Sequence, residues 1–131
     1  MQETGYALSR KVEMGFEEAE KRVREKLKEQ GFGVLTEINV TKTFKEKINA
    51  DFRRYVILGA CNPKFAHKAL ILETEIGLMM PCNVIVYEAD DGKTVVAAID
   101  PTSAMGAVGN EALKAVAADV RKGLMAAVLG V

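Results

Sequence analysis

The residues of this chain best suited to chemistry are two cysteines and the short polar segments beside them. In Cys61-Asn62-Pro63 a thiol stands one residue ahead of a favoured N-cap and a favoured first helical residue, so a helix is expected to start there. A thiol in that place faces unsatisfied N–H groups and the positive end of the helix dipole, conditions that stabilise a thiolate and draw anions. The plainer reading is packing: free cysteine is among the most buried residue types, and the apolar run Val56-Ile57-Leu58-Gly59-Ala60 leads straight into Cys61. Cys82 follows Pro81 toward Val84-Ile85-Val86, where burial raises a thiol pKa, so Cys61 is the candidate reactive residue of the two.

Three soft ligands, Cys61, His67 and Cys82, with Asp51, Glu73 or a water as a fourth, make a metal site on paper. Metal sites usually carry ligand pairs at close spacing and neither cysteine has one, so no stoichiometric zinc is expected, and His67 reads as a solvated or packing residue. A structural bridge between Cys61 and Cys82 is disfavoured in a reducing compartment. For a small ligand or anion the candidate contacts are Cys61, Asn62, Cys82, Asn83 and Asp100. Convergence of Asn62, Asn83 and Asp100 in one cavity would favour ligand binding, since such residues have no packing purpose there. Lys42, Lys45, Lys47, Arg53, Arg54, Lys64 and Lys68 outline a basic rim, but Glu46 and Asp51 interleave with it as on a solvated charged face. Met79, Met80, Met105 and Met125 suit core filling, an adaptable pocket or a subunit contact. No phosphate loop, nucleophile elbow or Ser/His/Asp order occurs, and Gly31-Phe32-Gly33 lacks the third glycine and leads into a strand.

The elements that must position these residues are legible in the apolar period. Tyr6 to Val12 alternates as a strand; from Phe16 the apolar positions Phe16, Ala19, Val23 and Leu27 recur at helical spacing, with Gly31 ending the helix. Phe32 to Val40 reads as a second strand with Val34 and Ile38 on one face, and Thr41 to Lys47 as a turn or two of helix. Arg53 to Cys61 is a strand whose second half, continuously apolar, is expected to be buried on both sides. A helix follows from Pro63, then a strand from Cys82 to Glu88, an Asp91-Gly92 hairpin turn, and a returning strand from Thr94 to Ile99. Ala104 to Gly109 reads as a flexible loop before a long helix capped by Asn110, with Leu113, Val116, Val120, Leu124 and Val128 on its buried face. This order predicts an α+β fold with a mixed or antiparallel sheet and helices on one face.

The chain of 131 residues, 49% hydrophobic and 27% charged, fits a single soluble domain, residues 1–131. Eighteen Lys+Arg balance eighteen Asp+Glu, and aromatics are 6% with no Trp, so nucleic acid is not an expected partner. The longest uncharged run, Ile76 to Tyr87, has 12 residues and contains Pro81, too few to span a bilayer. The N-terminal Met1 to Gly5 carries an acid and no apolar stretch, which makes the cytoplasm the expected compartment.

Four segments, Gly31 to Ile38, Leu58 to Pro63, Pro81 to Val84 and Ala98 to Pro101, closely resemble those of the "domain of unknown function 302" family, in the same order along nearly the whole chain. The resemblance implies an α+β fold similar to half of the TATA-binding protein, a homodimer, and no established activity. The sequence departs from the family pattern after Asp100-Pro101, with Ala104-Met105 where a Met pair is expected. Fold analogy does not bring DNA binding with it, because the strands lack Phe wedges and excess positive charge. Three functions stand at this level: a homodimer binding a small ligand or anion at the Cys61-Asn62-Pro63 helix start, a thiol- or metal-dependent protein using Cys61 and Cys82, and a non-enzymatic interaction module.

Overall fold

Where the apolar spacing changes from two to three and four, the backbone changes from strand to helix. The computed structural model describes residues 1–131 and orders them as β1 (Gln2–Glu3), β2 (Ala7–Val12), α1 (Phe16–Glu29), β3 (Gly33–Asn39), α2 (Val40–Ile48), β4 (Tyr55–Cys61) and α3 (Pro63–Leu72). A 3-10 turn at Thr74–Met79 leads to β5 (Cys82–Glu88), β6 (Thr94–Ile99), α4 (Pro101–Met105) and α5 (Glu111–Gly130). All strands join one six-stranded sheet of order β1-β2-β6-β5-β4-β3, and every pairing is antiparallel. No helix is long and apolar enough to cross a membrane.

Helices α1 and α5 cover one face of the sheet. Leu8, Leu58, Val84, Val86 and Val96 point into them and are wholly buried, as are Val23 and Leu27 of α1 and Leu113 and Leu124 of α5. The other face lies open, with Ile57, Ile85 and Ala97 side by side across β4, β5 and β6. An aromatic row borders it: Phe44 meets Phe52 edge-on at 5.2 Å between centroids, and Tyr55 stacks on Tyr87 at 5.4 Å.

Two expectations change against this frame. The second half of β4 is buried on both sides only in part: Leu58 and Ala60 are buried beneath the helices and Gly59 against Thr36 and Pro81 on the other side, whereas Ile57 and Cys61 are only half-buried. Val34 and Ile38 do not share a face, because a bulge between Val34 and Thr36 shifts the register, pairing Val34 with buried Ala60 and Ile38 with Ile57 on the open side. Strand β1 and helix α4 leave no signal in the apolar pattern; α4 forms because Asp100 caps it and Pro101 opens it, and the stretch Ala104 to Gly109, expected as a loop, holds the end of α4 and a 3-10 turn at Gly106–Val108.

Candidate functional site

Helix α1 ends as its glycine requires. Gly31 takes φ +83°, the N–H of Phe32 donates to the Leu27 carbonyl at 2.9 Å and that of Gly31 to Lys28 at 3.0 Å, the paired bonds of a Schellman cap. The cap turns Phe32 back under the helix into the core and leaves the Gln30 carbonyl outward. There it accepts a hydrogen bond from Asn62 Nδ2 at 3.4 Å. Asn62 therefore occupies the N-cap position of α3 without capping it: its backbone is extended, but its side chain serves α1 instead of an α3 N–H. The sequence reading of Asn62 as a capping side chain is corrected by this contact across space.

The end of α1 and the start of α3 close over an apolar cavity of about 30 Å³. Its wall includes Cys61, Cys82, Met80, Met105, Phe32 and Phe65, and Asn62 contributes the only side-chain oxygen or nitrogen. The register explains the convergence. Ala60 pairs with Cys82 across β4 and β5, which brings Cys61, the last residue of β4, near Cys82 where the strand gives way to α3. Pro81 seats against Gly59, where a Cβ would lie 2.8 Å from Pro81 Cγ and closer still to Thr36 Oγ1. Only glycine lets the chain entering β5 come this near β4.

Both cysteines are free. Burial, with a smaller contribution from the nearby Cys61, pushes the Cys82 thiol up to about 11, so Cys82 is a neutral thiol at physiological pH. This agrees in direction with the sequence expectation for Cys82.

The other candidates lie elsewhere. Asn83 is exposed and points to the open sheet face, lining a shallow apolar groove of about 150 Å³ with Tyr6, Ile85 and Ile99. Asp100 is buried in a charge network: its carboxylate accepts from Thr102 N at 3.0 Å, Thr102 Oγ1 at 2.6 Å and Arg121 Nε at 3.1 Å, while Arg121 also pairs with Glu3. Burial pushes the Asp100 carboxyl upward, but the bonds from Thr102 and Arg121 and the guanidinium charge together outweigh it and hold it below the usual carboxylate range. Asn62, Asn83 and Asp100 thus do not share a cavity.

His67 is exposed on α3 and absent from the cavity wall, and no group of three or more His, Cys, Asp and Glu side chains is placed to hold a metal ion, so the Cys61, His67 and Cys82 set is not assembled. The basic rim is largely paired: Lys42 with Glu46, Lys45 with Asp51, Arg53 with Asp90, and Arg54 with Glu17 and Glu88.

A family model described as "Domain of unknown function DUF302" matches residues 8–129. The chain belongs to the DUF302 family. The crystal structure of an uncharacterized conserved DUF302 protein from Bacillus stearothermophilus is similar to it, with 36% identity, 93% of this chain and 94% of that chain covered, and a TM-score of 0.87. A comparison with curated proteins found no match.

Three of the four DUF302 segments singled out in the sequence meet in space, while the fourth, Ala98 to Pro101, ends in the separate Asp100 network. Gly31, Phe32, Gly59, Cys61, Asn62, Pro81 and Cys82 all sit at one end of β4 and β5 or against it. Sequence reading missed Phe32, Phe65 and Gly59 as parts of this site. The two phenylalanines read as ordinary core residues, and Gly59 stood unremarked inside an apolar run, although glycine within a strand is itself a signal of close backbone approach.

Proposed function

We infer that this DUF302 protein is a small-ligand-binding homodimer of a reducing compartment such as the cytoplasm, and that its ligand is a soft, thiol-seeking species held by Cys61 and Cys82 at the start of α3. The observation that carries the reading is the presence of both cysteines, 21 positions apart in sequence, in the wall of one apolar cavity. A free anion suits the cavity less well. Its walls offer no cation, and the Asn62 amide is engaged by Gln30. An organic ligand needs a pocket roughly ten times larger.

Arsenite tests the pair. Trivalent arsenic condenses with two thiols, each As–S bond releasing one water, and holds poorly to one. Intact-mass measurement is expected to show one arsenic per chain, lost in Cys61→Ser and in Cys82→Ser. Uptake that survives either substitution, or no uptake by the unaltered protein, overturns the reading.

The open sheet face supports the homodimer. Ile57, Ile85 and Ala97 form its centre without a charged side chain among them, and Tyr6 stands 68% exposed at the rim of the groove beside them. A net charge of zero leaves little repulsion between copies. Light scattering at tens of micromolar protein is expected to give a dimer mass, and Ile85→Lys a monomer. A monomer mass for the unaltered protein rejects the dimer.

A further inference from the structure

Four sulfur-bearing residues line the cavity. Cys61 closes β4, Cys82 opens β5, Met80 precedes Pro81 on the approach to β5, and Met105 ends α4. These come from three stretches of chain, with Met80 and Cys82 flanking Pro81 in one of them, and no other side chain in the wall except Asn62 carries a heteroatom. Met105 is 5% exposed and Met80 half-buried against the core. Thioethers in a core usually only fill space. Two of them beside two thiols around a space of about 30 Å³ make a donor set as well as a filling.

We propose that this cavity is a binding site for a single cuprous ion, with Cys61 and Cys82 as its thiolate ligands and Met80 and Met105 as thioether ligands. The proposal rests on the paired-thiol reading above and names its ligand.

Donor chemistry selects the ion. Thiolate and thioether sulfur are soft donors that favour Cu(I), whereas zinc sites are built from Cys, His and carboxylate ligands, and here no third ligand of that kind stands with the two cysteines. Size agrees with this. A space of about 30 Å³ between apolar walls has room for a bare ion and little of its hydration shell. A soft ion gives up its water in exchange for sulfur, while a hard cation in these apolar walls would lose hydration without replacement.

No redox step is involved. As each thiol binds it loses its proton to solvent, two protons leave per ion, the Cu(I) state is unchanged, and the thioethers bind as neutral donors. The bound unit carries one negative charge, placed beside the positive end of α3, whose start has no side-chain cap. Cys61 and Met80 are only half-buried, which leaves an ion a way in, and α5 residues Val116 and Val120 complete the wall.

Titration of the reduced, metal-free protein against the coloured bicinchoninate complex of Cu(I) is the test, with X-ray absorption of the loaded protein. The expected result is withdrawal of one copper per chain, a first shell of sulfur only with more than two donors, and at least tenfold weaker binding in Met105→Leu and Met80→Leu. These substitutions nearly conserve volume and leave the core packed; circular dichroism confirms that each variant is folded. Equal affinity in both Met variants, or a shell of two sulfurs, overturns the four-sulfur assignment. Failure to compete with the chelator overturns the copper site. If arsenite is still captured by both cysteines in that case, the paired-thiol reading stands alone; if neither probe binds, both fall.

Discussion

Two strand-to-helix junctions of this protein are written alike and used differently. Strand β4 runs through Asn62 and Pro63 into α3, and β6 through Asp100 and Pro101 into α4; both cap residues are extended, with φ −100°, ψ 106° and φ −85°, ψ 105°. At Asp100 the side chain caps its own helix and recruits Arg121 from α5, and Arg121 reaches Glu3 of β1. At Asn62 the side chain turns away to the end of α1. One junction spends its polar group on fixing the backbone, so that a helix of only five residues holds. The other leaves its helix start without a side-chain cap beside a sulfur-lined cavity. A cap-and-proline pair thus marks where a helix begins but says nothing of what the cap residue holds, because its best partner can come from elsewhere in the chain.

The difference can be broken from either side. Asp100→Ala removes a cap and leaves the partly buried Arg121 with only its exposed partner, so a loss of about 2 to 3 kcal/mol is expected in urea unfolding. At the other junction, Gly59→Ala drives a methyl into Pro81 and Thr36 and is expected to cost about 2 kcal/mol, while loosening the approach of Cys82 to β4. The same assay reads both. Acid unfolding separates the charge of Asp100 from its shape. Because the folded carboxyl is held below its ordinary value, the unfolded chain binds the proton first as pH falls; the stabilisation is present above the ordinary carboxylate range and lost as pH drops through the folded value. Asp100→Asn, which keeps an acceptor for Thr102, should flatten that decline; an unchanged slope would show that the carboxylate's titration is not linked to folding. Asn62→Ala is the smallest effect, below about 0.5 kcal/mol, because no cap bond is lost and the 3.4 Å contact to Gln30 is exposed. A loss as large as that of Asp100→Ala would erase the contrast.

What could be read in the sequence was what is decided locally. Phe16 to Leu27 and Leu113 to Val128 announce their buried faces, Gly31 its left-handed cap, and Asp91-Gly92 its hairpin, with Gly92 at φ +81°. The parity of β3 was not legible, because one bulge after Val34 flips every later side chain and leaves no mark in the hydrophobic pattern. Nor was the cavity. Its two thiols meet only through the Ala60 and Cys82 register, and its thioethers arrive from either side of a strand pair that folds them together. Asn83 looked equivalent to Asn62 by composition, but alternation along β5 puts it on the opposite face from the core.

The sheet order also sets a timetable. From β3 to β6 each strand pairs with the next in the chain, so this meander closes through loops of modest length, whereas β2 waits for β6, with Ala7 opposite Ile99 and Val12 opposite Thr94. That pairing closes a loop spanning most of the chain and carries the largest entropic barrier of any strand contact here. During synthesis β2 leaves the ribosome long before its partner exists. The strand made early is therefore paired late: truncating Leu8 should quicken unfolding while hardly slowing folding, whereas truncating Val84 in the meander should slow folding itself. Until β2 arrives, the outer edge of β6 stands unpaired and apolar, a template for the wrong chain as much as for the right one.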